Sequence, residues 1–141
     1  MNFQILLFVL FVSVLSYEVP DVIFDRNAVK CLRKLGLNKE FVKRHYDEYY
    51  HLHRGNSDFD AYIECVVIGR KVFTRSGVMD EIKLPDDIDT YIIPLLGLQN
   101  DPNKSEKIQE AIEACKDIEG MHIGDRRIQM HNCIVDVLKT A

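Results

Sequence analysis

Beyond its N-terminus, no stretch of this 141-residue chain is long and apolar enough to cross a bilayer, which takes roughly 20 residues. No cluster of Lys and Arg interrupts it, and the formal charge is −4. That balance argues against nucleic acid or an anionic membrane surface as a partner. No GxSxG, HExxH or glycine-rich phosphate loop occurs, and the acidic residues are scattered over polar helix faces. The chain therefore reads as a non-enzyme without a cofactor. No cysteine pair has CxxC spacing and no histidine pair offers the complementary zinc spacing, so neither a redox motif nor a metal site is expected. Repeats, low-complexity segments, domain linkers and the period-two alternation of strands are missing as well.

What is present begins at the N-terminus. "MNFQ" precedes an unbroken apolar run over residues 5–15, too short to span a membrane. Val14 and Ser16 then occupy the two positions a signal peptidase reads, just before "YEVP". This pattern predicts a secretory signal peptide over residues 1–16, although its n-region has no Lys or Arg. Residues 17–141 suit one domain with a modest core. The product is expected to be secreted and extracellular, with no membrane insertion.

Four cysteines, Cys31, Cys65, Cys115 and Cys133, are separated by 33, 49 and 17 residues. An even count in an exported chain implies two disulfides, with three connectivities open. Local closures are the simplest of the three. By loop entropy each would add about 3–4 kcal/mol.

Apolar spacing predicts six helices. The first runs from Asp25 to Leu35 and stops at Gly36. The second runs from Asn38 to His53, with Phe41, Val42, His45, Tyr46, Tyr49 and Leu52 on one face. The third starts at Ser57, read as its N-cap, and continues through "AYIECVVIGRKVF" to Phe73. It is apolar on nearly every side, as an interior helix is. The fourth starts near Pro85 and is expected to end or kink at Pro94, because an interior proline costs about 3 kcal/mol. The fifth runs from Asn103 to Glu119, with Asn103 and Glu106 as a capping box and Gly120 as its stop. The sixth runs from Asp125, read as a cap, to Lys139. The fold class is thus all-α: a compact bundle of about six short helices, to which the resemblance drawn next adds an apolar cavity at the centre.

An acidic, exported, six-helix chain with these cysteine positions resembles the insect odorant-binding proteins. That family usually has six cysteines, the second and third separated by three residues and the fifth and sixth by eight. Cys31, Cys65, Cys115 and Cys133 match the first, third, fourth and sixth. The two absent cysteines fall at Ala61 and Gly124, which in the family are partners in one bridge. The match is therefore to the four-cysteine Minus-C subclass. The chemosensory proteins, also helical with four cysteines, have much shorter spacings and do not fit. The resemblance implies the pairing Cys31–Cys65 and Cys115–Cys133. It also implies a carrier of odorants, pheromones or related apolar molecules through an aqueous lymph, acting as a monomer or weak homodimer. An olfactory receptor would be reached only indirectly.

A carrier needs an apolar cavity with few polar groups. The inward candidates are Phe59, Tyr62, Ile63, Val66, Tyr91, Ile92, Leu95, Ile108, Ile112, Met130 and Ile134. Tyr62 or Tyr91 could offer a hydroxyl to a ligand, and Met130 could adapt to its shape. Each taken singly reads more readily as plain core than as pocket wall, because periodicity finds the inside without showing whether it is filled. Without a bridge at Ala61 and Gly124, the third helix and the start of the sixth are expected to be less firmly tied. In "HYDEYYHLHR", helical geometry puts His45 and His53 roughly 80° apart. Exposed or half-buried histidines are the default there. "NKS" at Asn103 is a glycosylation sequon. Two other classes remain open: a secreted helical signalling or interaction protein, and a salivary, venom or haemolymph scavenger of the same fold.

Overall fold

A computed structural model describes residues 18–140, and the predicted signal peptide lies outside them. These residues form six principal α-helices and, among them, no strand. They are α1 (Arg26–Leu35), α2 (Lys39–Lys43), α3 (Ser57–Gly69), α4 (Leu84–Asp87), α5 (Lys104–Cys115) and α6 (Ile123–Thr140). A 3-10 turn, Asp21–Ile23, precedes α1. Both disulfides form as Cys31–Cys65 and Cys115–Cys133, each with 5.9 Å between Cα atoms. The first joins α1 to α3, and the second joins the end of α5 to α6.

Local chemistry sets the helix ends. The Asp25 carboxylate accepts from the Ala28 amide at 2.8 Å and so caps α1, and Gly36 closes it in the left-handed region at φ 67°. Asn38 caps α2 through the Phe41 amide, and Asn56 rather than Ser57 caps α3 through the Phe59 amide. The long second helix does not form: α2 stops at Lys43. Asp47 accepts from the amides of Tyr49 and His51, at 2.8 and 2.9 Å, and turns the chain back. Tyr46 and Leu52 then pair as an isolated antiparallel bridge. Asn132 on α6 clasps this loop, accepting from the Leu52 amide at 2.7 Å and donating to its carbonyl at 3.0 Å. The tertiary bonds outweigh a helical preference that the spacing alone predicted.

Other boundaries shift for similar reasons. α3 ends at Gly69, and Lys71 takes a positive φ of 62°, so Val72 and Phe73 are buried from a turn. The Pro94 region behaves as a missing N–H requires. α4 widens into a π segment at Ile88–Ile92, tightens into a 3-10 turn at Ile93–Leu96 and stops at Gly97. α5 lacks the expected capping box, since the Asn103 side chain makes no cap bond, and it ends at Cys115, short of Glu119. α6 begins two residues before Asp125, whose carboxylate instead accepts from the Met121 amide at 3.0 Å.

α5 packs on α6, α6 on α3, and α3 on α1. The middle contact has no staple, yet it is close. A Cβ on Gly124 would stand 2.3 Å from the Asp60 carbonyl oxygen, so only glycine lets α6 approach the α3 backbone there. The place of the absent bridge is closed by backbone contact. Flanking ion pairs assist it: Arg54 with Asp125 at 3.2 Å and His122 with Asp60 at 3.4 Å.

Two apolar clusters lie either side of this seam. One gathers Val72, Phe73, Leu84, Ile88, Ile93, Ala111, Val135 and Leu138 with the second disulfide. The other gathers Ile23, Phe24, Ala28, Leu32, Val42, Tyr46, Leu52, Leu95 and Ile128 with the first.

Candidate functional site: a small internal cavity with a charged wall

The second cluster borders a partly open cavity of about 40 Å3. Its wall comes from the 3-10 turn, α2 and the loop after it, α3, the π segment and α6. α3 supplies Tyr62, Ile63, Val66 and Val67; the π segment supplies Tyr91 and Ile92. Ile23, Val42, Tyr46, Leu52 and Arg70 add to it, and α6 contributes Arg127 and His131. That volume holds a few waters, each needing about 10–15 Å3. It is small beside the roughly 300 Å3 at which drug-sized ligand pockets begin.

The polar part of the wall is held by two ion pairs. Asp25, already the cap of α1, also meets Arg70 at 3.1 Å and accepts from the Tyr91 hydroxyl. Arg70 donates to the Ile23 carbonyl at 2.9 Å and stacks on the Tyr91 ring, 3.4 Å from its centroid. Burial alone would push the Asp25 carboxyl up. The bonds from Arg70, Tyr91 and Ala28 outweigh it and hold the carboxyl below its ordinary value. Tyr91 moves the other way, up to about 12, through burial and its bond to Asp25. One carboxylate thus ties α1, the end of α3 and the π segment together at the mouth of the cavity wall.

The second pair is deeper. Arg127 is 5% exposed, and its Nη2 donates to Asp87 Oδ2 in α4. The bond is single. Arg127 Nη1 and Asp87 Oδ1 are both buried with no hydrogen-bond partner among the described residues. Buried groups of this kind are rare and costly, because they lose water and gain nothing. Next to Arg127 along α6, His131 is also buried. Its Nε2 lies 2.9 Å from the Tyr50 carbonyl, and since a carbonyl only accepts, Nε2 carries the ring proton. Burial, opposed by that bond and aided by the Arg127 charge, lowers its pKa to about 4, so the ring is neutral at pH 7.

Five of the eleven sequence candidates line this cavity: Tyr62, Ile63, Val66, Tyr91 and Ile92. Phe59 and Leu95 belong to the same cluster without reaching its wall. The Phe59 ring is covered by His45, stacked at 4.4 Å, and by Tyr62 at 6.2 Å. Ile108, Ile112, Met130 and Ile134 sit in the other cluster, packed with Phe73, Leu84 and Ile88. No protein-family profile, curated protein or solved structure matches the chain. The chemistry of the cavity therefore has to be argued from its own residues.

Some wall residues were not singled out from the sequence. Ile23 precedes the first expected helix, and Val67 was one of several apolar positions on the third. Val42, Tyr46 and Leu52 were assigned to the inner face of a helix that does not form, yet all three point inward from α2 and the Asp47 loop. Arg70, Arg127 and His131 were passed over because charged residues default to the surface. A signal was present: Arg127, His131, Ile134 and Leu138 share one helical stripe, and all are buried.

The remaining histidines are part of the loop and its attachments. His45 Nδ1 lies 2.7 Å from the Phe41 carbonyl, and His51 Nε2 lies 2.6 Å from Asp136 on α6. Because the second helix stops at Lys43, the helical angle between His45 and His53 does not apply; their rings meet edge-on at 6.0 Å. Among the described residues, no group of three His, Cys, Asp or Glu side chains is placed to hold a metal ion. None of the described helices is long and apolar enough to cross a membrane. Disulfides such as these two form in oxidising surroundings.

Proposed function

We propose that this protein is a secreted carrier of small hydrophobic molecules, of the odorant- or pheromone-binding kind, working in an extracellular fluid such as sensillar lymph. The observation that carries this reading is the small, partly open cavity, walled mainly by Ile, Val, Leu and Tyr and placed between two disulfide-stapled helix pairs. Its resting volume is too small for a ligand of ten heavy atoms, so binding requires the walls to part. The walls have the means to do so. They meet at the α3–α6 seam, which carries no covalent tie, and at a π segment, an irregularity that recurs at functional sites in helices. At about 25 cal/mol per Å2, burying a few hundred Å2 of ligand supplies the gross drive for micromolar binding.

The test is titration of the full-length mature chain with an apolar fluorescent probe such as N-phenyl-1-naphthylamine, followed by displacement with a panel of volatile esters, ketones and alcohols. Saturable micromolar binding is the expected outcome. Failure of every compound to bind would remove the carrier reading.

A second reading, a secreted interaction protein, draws on exposed apolar side chains: Val78, Ile82 and Met121 are 62%, 88% and 84% exposed. A chain of that kind would bind none of the volatile panel. The same carrier serving saliva, venom or haemolymph would bind it, and differs only in where the protein is made.

A further inference from the structure

One buried polar group of the cavity wall has spare capacity. Arg127 presents a guanidinium whose Nη1 hydrogens have no partner among the described residues, while Nη2 is engaged by Asp87. The residue lines the cavity beside apolar Ile63, Val66 and Ile92. From this we propose, resting on the carrier reading, that Arg127 Nη1 anchors the ligand by donating to a neutral acceptor oxygen, a carbonyl or hydroxyl, borne on an apolar body.

Charge accounting decides between a neutral oxygen and a carboxylate. Each arginine of the wall already has its own anion: Arg127 has Asp87, and Arg70 has Asp25. The other titratable groups facing the cavity are Tyr46, Tyr62, Tyr91 and His131, all neutral at pH 7. A carboxylate entering this space would leave one negative charge unbalanced in a largely buried site, against a large desolvation cost. A ketone, ester, aldehyde or alcohol adds no charge and satisfies the orphaned N–H. A hydrocarbon fills space and leaves the orphan as it was, so it forfeits the gain. Hydrogen bonds to charged donors are the stronger kind, and a preference of about tenfold for the oxygenated ligand is expected.

The experiment uses two ligands of one shape, 2-octanone and its isostere 2-methyl-1-octene, with octanoate, which has the same number of carbons as the ketone, as the charged comparison. Direct calorimetric binding to the mature chain at pH 7 should rank the ketone about tenfold above the alkene, with octanoate weakest. Removing the pair as a whole, with Arg127→Met and Asp87→Leu together, should equalise the ketone and alkene affinities. The infrared stretch of a 13C-labelled ketone carbonyl supplies a second readout on the unaltered chain. It should move to lower frequency on binding relative to its value in hexane, and return in the double variant. Equal ketone and alkene affinity, or an unshifted carbonyl, overturns the anchor while the carrier reading survives. Octanoate binding tighter than ketone overturns the neutral-oxygen assignment. If none of the three binds, the carrier reading itself falls, and this inference with it.

Discussion

The two halves of the core are made from similar residues and differ in how they are finished. The cluster around Phe73, Leu84, Ile88, Ile134 and Leu138 is mostly aliphatic, and a charge meets it at Arg126, set over the Phe73 ring at 5.3 Å. The cluster around Phe59, Tyr62, Val66 and Ile128 borders a cavity, and the wall it shares with Ile92 carries two arginines, a histidine and three tyrosines. A staple lies in each, so covalent bracing does not explain the difference. The elements that meet there do. α5 packs along α6, and the apolar side chains of both helices join one cluster. On the other side, a loop replaces the long helix the spacing predicted, and backbone carbonyls and planar rings leave gaps. Polar groups sit where space remains.

The sharpest way to break the comparison is to remove one member of the Arg127–Asp87 pair. Arg127→Met strands a buried carboxylate, and Asp87→Leu strands a buried guanidinium. Each should cost about 3–5 kcal/mol, read as a shift of the denaturant midpoint at constant slope. The double replacement should recover most of that loss, because it leaves no uncompensated charge. Equal losses in the single and double variants would show that the pair matters for its shape and not its charge.

Next in size is a matched truncation on the two sides. Ile134→Ala sits in the filled cluster with no exposed surface, and a loss of about 2–5 kcal/mol is expected. Ile63→Ala lies on the cavity wall and keeps slight exposure, which places it toward the lower end of that range. It should also enlarge the binding space, raising affinity for bulky probes while Ile134→Ala leaves it unchanged. Thermal melts and probe titrations on both variants check this, and a reversed order of stability losses would show that the hollow side is the better packed.

Much of this architecture was legible in the sequence, and the boundary of what was legible has physical causes. Cysteine positions and the apolar stripes of α1, α3, α5 and α6 predict the bundle and its staples because burial on a helix imposes a period. The same period carries through "HYDEYYHLHR", yet Asp47 captures two amides locally and Asn132 clasps Leu52 from 80 residues away. Long-range bonds of that kind leave no mark on local spacing. The cavity was legible only in outline. Tyr62, Ile63, Val66, Tyr91 and Ile92 line it, whereas Ile108, Ile112, Met130 and Ile134 carry the same inward signal and pack against other residues. Hydrophobic period reports which side faces in and is silent on whether a neighbour fills the space. Arg127 and His131 were the better clue, since polar residues on a buried stripe need a reason to be there.

His131 gives an effect confined to one pH window, and one whose sign can be fixed. Its pKa falls from 6.5 in the open chain to about 4 in the fold, chiefly because burial disfavours the charged ring. Between those values the unfolded chain holds a proton that the native chain does not, so stability rises with pH. Acidification from about 6.5 to about 4 should therefore cost up to roughly 1.4 kcal/mol per pH unit, and below about 4 this contribution flattens. Asp25 and Asp125, both held below the ordinary 3.8, act in a separate window: their stabilisation is present above 3.8 and is lost as pH falls below it. His131→Gln can still donate to the Tyr50 carbonyl yet does not titrate, so urea melts from about pH 3 to about pH 7 should lose the slope above pH 4 and retain the decline below it. An unchanged slope would assign the proton to another group, and the neutral, buried histidine would then cease to distinguish the hollow half of the core from the filled one.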